Sequence, residues 1–228
     1  MSQSISLHQK RILVTGGARG LGKAFASSLV EAGAQVAIAD ILVEEGNASA
    51  KSMDAEFFEL DVSNPRGVTS CIEEVIKRLG GIDGLVNNAA IATGIGGPGM
   101  TDIEVKIWDQ VMDVNVRGTW LVSKASVPHL AKCGNGKILN LASDTALWGA
   151  TNLMHYVASK GAIVAMTRSM ANELGEKGIS VNCIAPGLTE VEATEYVPDE
   201  RKQLYRKNRS LKRTQMPSDI TGSVLFFM

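Results

Sequence analysis

The stretch Tyr156-Val157-Ala158-Ser159-Lys160 holds residues whose types and spacing could do acid/base chemistry. On a helix, a tyrosine and a lysine four positions apart stand one turn apart on the same face. A free phenol, with a pKa of about 10, is a poor base near neutrality. A neighbouring ammonium stabilises the phenolate and brings that pKa toward working pH, so the two side chains could form a tuned proton donor and acceptor. Taken alone, the spacing equally fits an exposed tyrosine beside a solvated lysine. The elements that would hold the pair decide between these readings.

The chain has 228 residues, enough to bury a substantial core in one α/β domain or two small ones. Its net charge of −1 gives no basic face for nucleic acid or an anionic membrane. No apolar run approaches the roughly 20 residues that span a bilayer, and the polar start Met1-Ser2-Gln3-Ser4 does not read as a signal peptide. Three widely spaced cysteines, Cys71, Cys133 and Cys183, argue against disulfides or structural zinc and fit a reducing cytoplasm.

Short apolar runs alternate with longer amphipathic ones, the pattern of a parallel sheet covered by helices. Strands are expected at Ile12–Thr15, Val36–Ala39, Glu56–Leu60, Gly84–Val86, Lys137–Leu141 and Ser180–Ile184. Helices are expected at Leu21–Ala32, Val43–Lys51, Pro65–Leu79, Ile103–Leu130 and Tyr156–Leu174. No linker divides the chain, which reads as one domain over residues 1–228. The glycine-rich residues 91–101 read as a mobile loop, and the charged residues 188–216 as a helical excursion placed to act as a lid over a site. Pro217-Ser218 opens a last helix, with Ser218 as its expected cap.

Ile12-Leu13-Val14-Thr15 runs into Gly16-Gly17-Ala18-Arg19-Gly20-Leu21-Gly22 and then a helix. Glycines between a first strand and a first helix let the backbone approach a pyrophosphate at the positive helix terminus. Asp40, at the end of the second strand, is placed to bind adenosine ribose hydroxyls and to repel the extra phosphate of NADP, which favours NAD. Arg19 pulls the other way, since a guanidinium there could pair with that phosphate.

These pieces together, with Asp61-Val62, Asn87-Asn88-Ala89-Ala90, Asn115, Ser143 and Pro186-Gly187, resemble the short-chain dehydrogenase/reductase family over nearly the whole chain. The resemblance implies a Rossmann-type doubly wound parallel sheet, with a further strand beyond Met228. It implies Tyr156 as the general acid/base and Lys160 as the group that lowers its pKa and binds the nicotinamide ribose. Ser143 would hydrogen-bond the substrate oxygen, and Asn115 would hold a water in a relay to Lys160. Asp61 and Val62 would flank the adenine, and Asn88 would sit beside its ribose. Pro186, Gly187, Leu188 and Thr189 would line the nicotinamide. Where the family usually has glycine this chain has Ala90, and where it usually has threonine this chain has Val191.

The residues around the expected substrate site, Thr145, Leu147, Trp148, Leu153, Met154 and His155 with Ile95 and Met100, are largely apolar. No arginine or lysine stands out there as a clamp for an anionic group. A hydrophobic secondary alcohol or ketone, cyclic or aromatic, is therefore expected. The alternatives are a 3-oxoacyl thioester reductase, against which Asp40 counts, and a non-catalytic dinucleotide-binding protein. The long helices are apolar on more than one face, and the resemblance implies that they pair between subunits in a homo-oligomer, a dimer or tetramer.

Overall fold

A computed structural model describes residues 5–228. Six strands form one parallel sheet in the order β3-β2-β1-β4-β5-β6. They are β1 (Arg11–Thr15), β2 (Gln35–Asp40), β3 (Glu56–Glu59), β4 (Gly84–Asn87), β5 (Gly136–Leu141) and β6 (Ile179–Ile184). Each expected strand is present, within a residue or two at either end. β6 pairs with β5 and is an edge of the sheet.

The strands are apolar because helices cover both faces. On one face, Leu13, Leu85, Ile138 and Val181 pack against α3 (Pro65–Leu79), α5 (Thr119–Lys132) and the end of α7 (Met154–Leu174). On the other, Ile12, Val14, Val86 and Leu139 pack against α1 (Gly20–Glu31), α2 (Val43–Met53) and α9 (Ser218–Phe227). The alternation of the strand side chains between these two clusters is the period-2 geometry of extended chain. Local signals set the helix ends. Asn64 caps α3 by accepting from the amides of Arg66 (3.1 Å) and Gly67 (3.2 Å), and Gly80 ends it at φ +77°.

The expected helix over Ile103–Leu130 is broken into α4 (Val105–Met112), a π-helical turn at Asp113–Gly118, and α5. The cause lies in tertiary contacts. Asn115 turns its amide onto the backbone of Ile91, and Gly118 presses against Val62, where a Cβ would stand 2.7 Å from Val62 Cγ2. Such turns inside helices cluster at functional sites.

Residues 188–216 leave the sheet, and an isolated parallel bridge between Thr189 and Gln215 ties the two ends of this excursion together. Between these anchors lie one short 3-10 turn at Glu192–Thr194 and one regular helix, α8 (Asp199–Asn208), which buries no residue. Ser218 is the first residue of α9 rather than its cap. Asp219 holds that corner instead, accepting from the Met216 amide (2.8 Å) and pairing with Arg213 (2.6 Å). The Cys71 thiol is buried and pushed up to about 12 by that burial, while Cys183 is only half-buried. Among the described residues no helix is long and apolar enough to cross a membrane.

Candidate active site

β1 and β4 are neighbours, and the chain winds away from them in opposite directions. In a doubly wound sheet this reversal opens a crevice beyond the carboxyl ends of the strands. Here it is a cleft of about 1020 Å³. Gly16, Arg19, Gly20, Leu21, Gly22, Asp40, Asp61, Val62 and Asn88 line one end of it; Ser143, Tyr156, Lys160, Pro186, Gly187 and Thr189 line the other.

The glycine turn is built for close approach. Gly16 (φ +65°) faces Ala89, whose Cα would lie 2.7 Å from a Cβ on Gly16, and a Cβ on Gly22 would run into the Gly16 carbonyl. Asn88 fastens the turn, donating from its side-chain amide to the carbonyls of Thr15 (3.1 Å) and Gly16 (2.9 Å). Asp40 does not pair with Arg19. Its two oxygens accept from the amides of Ala18 (3.0 Å) and Leu42 (3.1 Å), which holds the carboxylate at the strand end with lone pairs to spare. One oxygen of Asp61 is taken by Ser63, through its amide (2.8 Å) and its hydroxyl (2.7 Å).

At the other end, Ser143 follows β5, and the short helix α6 (Thr145–Trp148) folds back over it. The Ser143 oxygen accepts from the Thr145 hydroxyl (2.9 Å) and amide (3.3 Å). With both acceptor positions used, its own O–H is left to donate. It makes a long 3.5 Å contact to Asp144 Oδ1. Tyr156 and Lys160 lie in the first turns of α7 and line the cleft together. Lys160 is 4% exposed, and its ammonium donates to the Leu141 carbonyl (2.6 Å) and lies 5.8 Å from the Tyr156 ring centre.

Burial opposes charge on both partners. It brings the Lys160 pKa down to about 8. It pushes the Tyr156 phenol up to about 12, helped by the carboxylate of Asp144 and opposed by the Ser143 hydroxyl. The expected lowering of the phenol by Lys160 is therefore not seen in the protein alone: burial is the largest influence on the phenol, and Lys160 is not among the groups that shift it.

Asn115 does not line the cleft. It is 1% exposed, and its amide is fully engaged, exchanging hydrogen bonds with the Ile91 backbone (2.7 and 3.1 Å) and donating to Ser159 Oγ (3.1 Å). Ser159 in turn donates to the Tyr156 carbonyl (2.7 Å), so Asn115 braces the tyrosine's helical turn.

The substrate end is more polar than its sequence suggests. Thr145 and Leu153 line it as expected, but Trp148 is 52% exposed and packs edge-on against Tyr205 of α8 at 6.0 Å. Leu147, Met100 and Met154 face outward, and His155 is buried with neither ring nitrogen hydrogen-bonded. Asp144, Tyr196, Arg201 and Tyr205 line the cleft instead. Arg201 overturns the expectation that no cation stands near the substrate; its position depends on how α8 folds back, which no local spacing reveals. Asp144 was visible beside Ser143, and burial raises its pKa.

The family model described as enoyl-(acyl carrier protein) reductase matches residues 16–228. The chain belongs to the short-chain dehydrogenase/reductase family. It is 36% identical over 219 residues to a 3-alpha-(or 20-beta)-hydroxysteroid dehydrogenase of Mycobacterium tuberculosis, covering 95% of this chain and 81% of that one. It is 36% identical over 234 residues to a galactitol 2-dehydrogenase of Agrobacterium fabrum (96% and 90%). It is 33% identical over 227 residues to a 3-oxoacyl-[acyl-carrier-protein] reductase of Chlamydia pneumoniae (97% and 90%). The protein is thus an oxidoreductase of the alcohol–carbonyl couple, and NAD or NADP is the family's cofactor class. The open glycine cradle and the two acceptor-bearing carboxylates at its far end fit such a dinucleotide.

Lys160 gives a stability test. A lysine whose folded pKa lies near 8 binds no proton between that pH and its unfolded value of about 10.4, where the unfolded chain still does. Stability of the native protein relative to Lys160→Met should therefore rise between pH 8 and 10, read by urea unfolding of both. A gap that does not change with pH would show that the ammonium stays charged when buried.

Proposed function

We propose that the enzyme interconverts a secondary alcohol and a ketone with NAD(H), using Tyr156 as the proton donor and acceptor. The observation that carries this reading is the state of Ser143, in the cleft that Tyr156 also lines. Thr145 takes its acceptor positions and leaves its O–H to act as a donor, with a long 3.5 Å contact to Asp144 that a substrate oxygen would replace. The nicotinamide, when bound, gives or takes the hydride. Ser143 holds the oxygen on which charge develops, and Tyr156 passes it a proton in reduction or accepts one in oxidation. Lys160, charged around neutrality with a pKa near 8 and lining the same cleft, would bind the nicotinamide ribose and stabilise the phenolate that oxidation needs once the site is filled. Asn115 acts through Ser159 on the turn that carries Tyr156.

For the cofactor end, Gly16, Gly20, Leu21 and Gly22 would meet the pyrophosphate, and Asp40 the adenosine ribose. Arg19, Asp61, Val62 and Asn88 would surround the adenosine. Pro186, Gly187 and Thr189 would flank the nicotinamide. For the substrate, Leu153 and the ring of Tyr205 offer an apolar wall, with Ser143, Thr145 and Tyr156 at its polar end. On this reading the body of the substrate lies along that apolar wall, with Asp144 and Arg201 offering polar contacts beside it. Residues 188–216 cover this end as a lid.

A panel of secondary alcohols with NAD, read by absorbance of the reduced nicotinamide, tests the reaction class. Tyr156→Phe should lower kcat by about 10²- to 10⁴-fold while leaving NAD affinity unchanged; an unchanged rate would favour a protein that binds dinucleotide without this chemistry.

Asp40→Ala should raise kcat/KM for NADP relative to NAD by at least about tenfold, since like charges in contact cost several kcal/mol. A native enzyme that already prefers NADP would move the reading to a 3-oxoacyl thioester reductase.

The outward face of α5 leaves Trp120 exposed beneath Lys124, 4.9 Å from its ring, and we read it as a subunit contact. Light scattering should then show a dimer or tetramer, and a monomer at all concentrations would refute it.

A further inference from the structure

Helix α1 begins at Gly20 without a side-chain cap of its own, and its first turn holds no acidic residue. An uncapped helix start leaves backbone N–H groups unmet and carries partial positive charge. Here a carboxylate arrives from 172 residues away: the Gly20 amide donates to Glu192 Oε2 at 3.2 Å. Glu192 sits in the short turn at Glu192–Thr194, inside the segment that follows Thr189. That turn is tied down by Thr194, whose hydroxyl accepts from the Val191 amide (3.0 Å) and lies 2.8 Å from the Thr189 carbonyl. Val191 and Ala193 stand over Gly20, where a Cβ would meet them at 3.7 and 4.0 Å.

We propose that Glu192 is an internal stand-in for the cofactor pyrophosphate, which seats the 188–216 segment on the glycine turn and must leave when the dinucleotide binds. This rests on the reading of that turn as the pyrophosphate site. Two features of the contact support it. Glu192 presents the anionic oxygen chemistry that the helix start selects, on an amide of the cradle itself. Its charge is of the same sign as the pyrophosphate, so the two exclude each other electrostatically as well as sterically. Glu192 therefore lowers affinity for NAD by competing with it. Its release on binding frees the one side-chain tether between the segment and α1 that the described residues show, which couples cofactor entry to movement over the substrate end.

The test compares Glu192→Gln and Glu192→Ala with the native protein. Calorimetry with NAD, ADP-ribose and adenosine separates the pyrophosphate from the rest of the ligand. Both variants should bind NAD and ADP-ribose about five- to thirtyfold more tightly, within the range common for site-to-site coupling, and adenosine with unchanged affinity. Without nucleotide, hydrogen exchange over residues 16–31 and protease cleavage within 188–216 should both be faster in Glu192→Ala. Weaker or unchanged NAD binding in the variants would overturn the proposal, as would equal tightening of adenosine or unchanged exchange at the start of α1. Failure of the native protein to bind NAD or ADP-ribose at all would instead remove the cofactor reading, and this proposal with it.

Discussion

The glycine turn after β1 is the constraint on which the rest of the site depends. Gly16 lies against Ala89 at the end of β4, and Gly22 lies against the Gly16 carbonyl, so no side chain fits at either place. That contact brings the start of α1 down onto the point where the sheet reverses its winding. The exposed amides of the helix start then face the same crevice into which Ser143, Tyr156 and Lys160 project from the other side of β4. A bulkier turn would lift α1 from the sheet and separate the two ends of the cleft. Asn88 spends its side chain on this turn, which explains why a residue expected beside a ribose is found tied to backbone carbonyls.

A second network fixes the catalytic end from behind. The Asn87 side chain donates to Ser123 Oγ and to Asn140 Oδ1, both at 2.9 Å, and Asn140 donates to Thr167 Oγ1 at 3.0 Å. These residues stitch α5, β4, β5 and α7 together through buried polar groups, which cost stability unless paired and so favour one arrangement. Asn115 adds a further tie through Ser159 to the turn bearing Tyr156. The helix that presents the tyrosine is thereby located relative to the strand that presents Ser143. Positioning within a fraction of an ångström is what acid/base chemistry requires.

Much of this was legible in the sequence because it follows from periodicity and from local chemistry. Apolar runs such as Ile12-Leu13-Val14 read as strands covered on both faces, and the glycines of the turn read as a close approach. Asp40 and Tyr156-x-x-x-Lys160 sit at positions set by the elements that hold them. The parts that were not legible depend on contacts between distant segments. The π turn at Asn115 arises because Ile91 and Val62 pull on a stretch whose own pattern is helical. Trp148 turns outward to meet Tyr205, and Arg201 enters the cleft, because α8 folds back over α6; neither has a spacing that announces it. Glu192 looked like one acid in a charged surface run, and only the fold sets it on Gly20.

The electrostatics of the catalytic pair sharpen what the spacing alone suggested. A tyrosine beside a lysine was expected to be acidified, yet burial raises the phenol and lowers the ammonium, each toward its neutral form. The protein therefore does not keep a standing phenolate. Asp144 reinforces this, since its charge lies near the phenol and disfavours a second anion there. A site that resists charge in its resting state gains most from a proton transfer that is matched, in the same step, by charge moving elsewhere in the cleft. In the proposed mechanism Lys160 and the Ser143 hydroxyl would therefore act on the transition state, where oxygen carries partial charge, more than on the resting tyrosine. That is the condition under which an interaction raises turnover and not only binding.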